Sequence, residues 1–167
     1  HFHRGDMLLL QNEISNVSYA IEQAKEKGLT VVFNPSPISS SITHYNLSKT
    51  DYFILNEVEG RKLAGTCTED AREILLELQK KYPNSVFVLT LGDKGSYYAD
   101  ETTVFYQEIF PSDVIDTTGA GDTFTGYFLA GIARGRSARE AMRYASLASS
   151  LSVSRPGASP SIPDEEE

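Results

Sequence analysis

Val114-Ile115-Asp116-Thr117-Thr118-Gly119-Ala120-Gly121-Asp122-Thr123-Phe124 is the stretch on which the reading of this 167-residue chain turns. Val114 and Ile115 are β-branched and read as the end of a strand, and the apolar run beyond them reads as a helix from near Gly119 to about Arg134. Between the two, Gly119 and Gly121 let the backbone turn tightly and approach a ligand with no Cβ in the way. The opening turn of a helix aims N–H groups at one spot, which favours an anion such as phosphate. Asp122 stands in that first turn. A carboxylate there is a poor anion binder but a good proton acceptor, suited to a hydroxyl that attacks phosphorus. The same residues also suit a plain capped helix in which Asp122 complements the dipole.

Competing phosphate motifs do not fit. No G-x-x-x-x-G-K-[ST] occurs, which excludes a P-loop. Gly119-x-Gly121 lacks the third glycine of a dinucleotide fingerprint, because Phe124 occupies its place, and no acid follows at the required distance in a next strand.

Outward from this stretch, the apolar period alternates between strand and helix. Residues 7–11 read as a strand. Ile14, Val17, Ile21 and Ala24 recur at helical spacing up to Gly28. Residues 30–33 form the next strand, stopped by Asn34-Pro35-Ser36-Pro37, and a polar loop covers 39–49. A strand at 52–55 leads into a short helix at 57–64 with Gly65 behind it. Thr68 is placed to cap a helix with the stripe Ala71, Ile74, Leu75 and Leu78, broken by Pro83-Asn84. A strand at 86–91 and a hairpin of 97–100 with 103–109 follow. The last helix opens at Ser137, which makes a capping box with Glu140, and its inner face is Ala141, Met142, Ala145 and Ala148. Phe124, Tyr127 and Phe128 form a core stripe. This order calls for an α/β fold, a mostly parallel sheet with helices on both faces, and ligands beyond the carboxyl ends of the strands.

Composition removes several function classes. Fifteen Lys and Arg against 23 Asp and Glu leave a net charge of -8, and with no basic run the chain is not expected to bind nucleic acid. The apolar runs are too short to span a membrane. The one cysteine, Cys67, excludes a disulfide scaffold and fits a reducing, cytoplasmic compartment. The chain starts at His1 rather than Met and reads as a piece of a longer protein or a matured chain; an acidic tail covers 164–167. His1-x-His3 is set aside as a terminal pair, and His44 and Cys67 have no partners at metal-binding or catalytic spacing.

Six segments, in order, carry a family resemblance. Asp-Thr-Thr-Gly-Ala-Gly-Asp-Thr-Phe at 116–124 closely resembles the C-terminal signature of the ribokinase-like (pfkB) sugar kinases. Leu9-Leu10-Gln11-Asn12-Glu13 resembles that family's strand ending in Gln-x-Glu, and Asn34-Pro35-Ser36-Pro37 its Asn-Pro-Ala/Ser-Pro turn. Asn56-Glu57-Val58-Glu59 is similar to its Asn-x-x-Glu motif, and Thr90-Leu91-Gly92-Asp93-Lys94-Gly95 to its Thr-Leu-Gly-x-x-Gly loop. Ser154-Arg155-Pro156-Gly157-Ala158 with Ser161 is similar to its closing segment. Family members are considerably longer. The resemblance therefore implies that 1–167 is the C-terminal, nucleotide-binding part of a single kinase domain, with the N-terminal half and the lid missing, one sheet edge left unprotected, and the fragment alone inactive.

The resemblance also implies roles. Asp122 is the base on the sugar hydroxyl, and the N–H groups of Gly119, Ala120, Gly121 and Asp122 form the anion hole. Asn56 and Glu59 lie near the phosphates and Mg²⁺, Glu59 acting through water. Thr90, Leu91, Gly92, Asp93, Lys94 and Gly95 run along the nucleotide. Ser146 falls where relatives carry a longer His or Asn near the adenine, and Glu13 aligns with a sugar-hydroxyl contact. Asp116, Thr118, Ser152, Arg155, Gly157 and Ser161 match positions around a monovalent cation such as K⁺, several through backbone oxygens. The implied ligands are ATP and a sugar (ribose, fructose or a relative), and a homodimer of the full-length protein would form through the missing lid.

Three readings follow. The first is ATP-dependent phosphorylation of a sugar hydroxyl, favoured by Asp122, since anion binding alone needs only N–H groups. The second is a non-catalytic nucleotide-binding fragment or regulatory module of the same fold. The third, a dinucleotide-dependent oxidoreductase, is weakened by the failed fingerprint.

Overall fold

The computed structural model describes residues 1–164. The last three residues of the acidic tail lie outside them. Strands and helices alternate as β1 (Met7–Gln11), α1 (Val17–Glu26), β2 (Thr30–Asn34), β3 (Tyr52–Asn56), α2 (Glu57–Ala64), α3 (Ala71–Lys81), β4 (Val86–Thr90), β5 (Ser96–Ala99), β6 (Val104–Gln107), α4 (Ala120–Ala133) and α5 (Ala138–Val153). The six strands form one sheet in chain order. The pairs β1–β2, β2–β3 and β3–β4 are parallel. The class is thus α/β with a mostly parallel sheet, as the alternating periods require. Among the described residues, no helix is long and apolar enough to cross a membrane.

The chain divides into two compact units, one of His1–Leu91 with Tyr97–Phe105 and the other of Gly92–Ser96 with Tyr106 onward. In the first, β2, β3 and β4 each bury three consecutive residues, the mark of parallel strands covered on both faces. Phe33, Phe53 and Phe87 point to one face, where they join Val17 and Ile21 of α1, Leu63 of α2, and Ile74, Leu75 and Leu78 of α3 in one core. The Phe53 and Phe87 rings stack at 5.3 Å. The alternate residues Val32, Ile54 and Val88 are equally buried. Gly60 lets α2 press close, since a Cβ there would stand 3.0 Å from Ile74 and Leu89. That packing fixes the start of α2, where Asn56 and Glu59 lie.

In the second unit, α4 and α5 pack on each other. A Cβ on Gly131 would stand 3.0 Å from that of Ala141, and Ser149 Oγ donates to the Ala120 carbonyl at 3.2 Å. The expected inner face of α5 (Ala141, Met142, Ala145 and Ala148) is buried, and the Ser137–Glu140 capping box is present. Phe124 and Phe128 are buried, while Tyr127 is half-buried with its hydroxyl on the Pro163 carbonyl.

Several local expectations need correction. Val114 and Ile115 are not a strand; they are 66% and 64% exposed. The N–H groups of Ile115 and Asp116 go instead to the Val153 carbonyl at the end of α5, which leaves no strand partner. Ile14 lies ahead of α1 and is exposed, because Asn16, in the left-handed region at φ 64°, starts the helix later. Asp70 rather than Thr68 caps α3, accepting from the N–H groups of Arg72 and Glu73, and Thr68 braces Asp70. The loop at 39–49 contains a 3-10 turn, Ser40–His44, and buries Ile42 and Leu47. The strand expected at 86–91 ends at Thr90, the first hairpin strand lies one residue earlier than expected, and the second is shorter, Val104–Gln107.

Candidate active site

The turn into α4 is built by Gly119 and Asp116. Gly119 is the residue before the helix and sits at φ 77°, a conformation that favours glycine. A Cβ on it would also stand 3.3 Å from that of Ala158. Gly121 differs from the expectation: it is an ordinary helical residue, and a Cβ on it would meet nothing within 4 Å. The tight turn therefore rests on Gly119, and Gly121 leaves open space beside the first turn. The helical ladder begins with the Thr123 N–H on the Gly119 carbonyl at 2.8 Å. The N–H groups of Ala120, Gly121 and Asp122 precede it, and no side chain caps them. Ala120 departs from its expected part in an anion hole, because its N–H closes onto the Thr117 carbonyl at 3.2 Å. Asp122 is exposed at the third position of the helix, and the Thr123 hydroxyl is buried without a partner among the described residues.

Asp116 ties this turn to the closing segment. One carboxylate oxygen accepts from the Thr118 N–H and the other from the Gly157 N–H, each at 2.9 Å. The Thr118 side chain and these two N–H groups hold the Asp116 carboxyl below its ordinary value. Gly157 turns at φ 87°. Ser152 and Ser161 are buried, their hydroxyls donating to the Ser149 and Ala158 carbonyls at 2.9 and 2.7 Å. The Arg155 N–H donates to the Ser152 carbonyl at 3.2 Å. Of the residues expected around a monovalent cation, Asp116, Thr118 and Gly157 are thus brought together. Among the described residues, no cluster of three His, Cys, Asp or Glu side chains exists for a metal. Both Asp116 oxygens are taken by the Thr118 and Gly157 N–H groups, and the Ser152 and Ser161 hydroxyls donate to carbonyls, so a monovalent cation here would have to be held largely by backbone oxygens.

In the other unit, Asn56 and Glu59 open α2. The Asn56 side chain accepts from the Glu59 N–H at 2.9 Å, and the Glu59 carboxylate accepts from the Asn56 N–H at 2.9 Å. This is a complete capping box. Glu59 is only 5% exposed, far from a solvated carboxylate. Burial raises its pKa, against the hydrogen bonds from the Asn56 backbone, the Ser36 side chain and the Asn56 side chain. The Ser36 contact was not legible as a functional one; its signal was the Asn34-Pro35-Ser36-Pro37 turn at the carboxyl end of β2, next to that of β3. With about four acceptor sites on a carboxylate, these three donors leave room for a further one such as a Mg²⁺-bound water.

The remaining positions are varied. Thr90 ends β4 with its hydroxyl on the Leu55 carbonyl at 3.2 Å, and Leu91 is buried. Gly92–Lys94 form a 3-10 turn, with Gly92 at φ 60°, Gly95 at φ 87°, and Asp93 and Lys94 exposed. The Ser146 hydroxyl is turned inward, donating to the Glu108 carbonyl at 2.9 Å. Glu13 is exposed just past β1. His3 pairs loosely with Asp6 at 3.7 Å, and Cys67 is exposed.

Residues 2–165 match the family model described as pfkB family carbohydrate kinase. The chain is 35% identical over 164 residues to ribokinase of Arabidopsis thaliana, covering 95% of this chain and 43% of that protein. It is 33% identical over 168 residues to ribokinase of Haemophilus influenzae, covering 98% and 55%. The solved structure of Arabidopsis thaliana ribokinase complexed with ribose and ATP matches 96% of this chain and 53% of that one, with a TM-score of 0.87 and 35% identity. Fructokinase from Vibrio cholerae O395, in its fructose-, ADP- and calcium-bound form, matches 99% and 60%, with a TM-score of 0.84 and 25% identity. The chain spans about half the length of the curated relatives it matches. With the six motifs in order and the family model matched along almost the whole chain, this protein belongs to the pfkB family of carbohydrate kinases.

Proposed function

We propose that this chain is the C-terminal, nucleotide-binding part of a single kinase domain that transfers a phosphoryl group from ATP to a sugar hydroxyl. Ribose, fructose or a related sugar is the acceptor. The observation that carries this reading is the start of α4, an uncapped helix N-terminus with open space at Gly121 and an exposed carboxylate at Asp122. The N–H groups of this turn hold the transferring phosphoryl group, and Asp122 accepts the proton of the attacking hydroxyl. Gly119 and Asp116 keep the turn in shape. Glu13 contacts the sugar, Ser146 lies near the adenine, and residues 90–95 run along the nucleotide.

Mg²⁺, when bound, supplies charge neutralisation at the phosphates, with Asn56 and a water on Glu59 as its protein contacts. Asp116, Thr118, Ser152, Arg155, Gly157 and Ser161 hold a monovalent cation such as K⁺ beside the turn. The full-length protein works in the cytoplasm, with a homodimer forming through its lid, and residues 1–167 alone are inactive. A second reading is a nucleotide-binding module without catalysis, for which the N–H groups of this turn alone would suffice. Isothermal titration of the full-length protein with ATP–Mg²⁺ and with NAD tests the nucleotide assignment. ATP is expected to bind and NAD not to; the reverse overturns the kinase reading.

A further inference from the structure

We infer that Tyr106, on β6, is a positioning residue for the Gly92–Gly95 turn and thereby tunes nucleotide affinity; the inference rests on the reading of that turn as the nucleotide loop. Tyr106 is outside all six motifs, and nothing in the sequence pattern draws attention to it.

Three observations converge. The Tyr106 hydroxyl donates to the Lys94 carbonyl at 2.8 Å, a full-strength bond. The bond that closes the turn itself, from the Gly95 N–H to the Gly92 carbonyl, is long at 3.4 Å. Gly95 is buried at φ 87°, and a Cβ on it would stand 2.4 Å from the Gln107 carbonyl oxygen, 2.8 Å from the Tyr106 hydroxyl and 3.0 Å from its ring. The end of the turn is therefore pressed directly onto β6.

The Lys94 carbonyl and the Gly95 N–H belong to one planar peptide. Fixing the carbonyl from the Tyr106 side fixes the direction of the N–H on the other edge. It also limits how far the exposed residues Asp93 and Lys94 can swing. Without the hydroxyl, the turn is closed chiefly by its own weak bond, and more of its conformations must be given up when a nucleotide binds. A preorganised loop binds more tightly because that ordering has already been met by the fold. Phenylalanine at this position keeps the ring against Gly95 and removes only the donor.

The test compares full-length wild type, Tyr106→Phe and Tyr98→Phe. Tyr98, on β5, donates to Asp100 at 2.9 Å, at the hairpin turn. Isothermal titration with ATP–Mg²⁺ is run alongside steady-state kinetics and thermal melts. Tyr106→Phe is expected to raise the ATP Kd about three- to tenfold, the worth of one hydrogen bond. Its sugar KM, and its kcat at saturating ATP, stay within about twofold of wild type. Tyr98→Phe lowers the melting temperature and leaves the ATP Kd unchanged. An unchanged ATP Kd in Tyr106→Phe, with wild type binding ATP normally, overturns the inference and leaves the kinase reading standing. A loss spread equally over ATP Kd, sugar KM and kcat also overturns it, as a merely structural role would. Failure of wild type itself to bind ATP overturns both.

Discussion

Among the described residues four helices carry a carboxylate at their third residue, and those of α2 and α4 are in opposite situations. At α2, Asn56 caps the helix and Glu59 reaches back to the Asn56 N–H, so donors and acceptors satisfy each other and the carboxylate is buried. At α4, Gly119 has no side chain to cap with, the first-turn N–H groups are left without a side-chain acceptor, and Asp122 stands exposed. One is a closed device that stabilises its helix. The other is left open, without a side-chain cap, and it is the end proposed here to receive the phosphoryl group. A helix position with an acidic residue is thus not in itself a site; what its neighbours do with the N–H groups decides.

The largest expected effect breaks the open end. Asp122→Asn in the full-length protein keeps size and most hydrogen bonding but removes the carboxylate proposed as the base. Its kcat should fall by about 10²- to 10⁴-fold in steady-state assays, with ATP affinity little changed because the backbone donors persist. Gly121→Val comes next. Nothing in the protein obstructs a side chain there, so the fold should tolerate it and thermal melts should stay near wild type. The branches would crowd the space proposed for the phosphoryl group and hold it off the turn's N–H groups, and kcat/KM should fall by about 10²- to 10³-fold, an effect as large as losing one oriented donor. A Gly121→Val enzyme that is unstable but catalytically normal would reverse the contrast.

At the closed end the expected loss is in stability. Asn56→Ala removes the cap of α2 and should cost about 1 kcal/mol in denaturant unfolding. The smallest effect is in pH dependence, and its sign separates two carboxylates. Burial raises Glu59 above its ordinary value of 4.5. Its contribution to stability is therefore complete below that value and is lost as pH rises through the raised one. Asp116 is lowered from 3.8, so its contribution is present above 3.8 and is lost as pH falls through the lowered value. Unfolding midpoints measured against pH should show Glu59→Gln gaining on wild type as pH rises above 4.5. Asp116→Asn should lose its deficit as pH drops below 3.8.

Much of this was legible in the sequence wherever the cause is local. Ser137 and Glu140 specify their cap within one turn. The α2 helix is bounded by Asn56 and Gly65, and the face of α5 follows from spacing alone. What stayed hidden depends on residues distant in sequence. The burial of Glu59 depends on α2 packing closely over β4 and on Ser36 from another turn. Val114 and Ile115 have the composition of a strand, but their backbone partner is Val153. Asp116 is expected beside a monovalent cation, yet its carboxylate joins the turn to Gly157 in the closing segment. Gly121 matched the motif for a reason that only its surroundings separate from that of Gly119: one glycine serves the turn, the other leaves space.

The most direct test of phosphoryl transfer is ³¹P NMR of the full-length protein with ATP, Mg²⁺, K⁺ and ribose or fructose. The account predicts that the γ-phosphorus signal of ATP declines in step with the appearance of a sugar phosphate monoester. Bound ATP with no new monoester for any sugar offered, or release of inorganic phosphate alone, would contradict it.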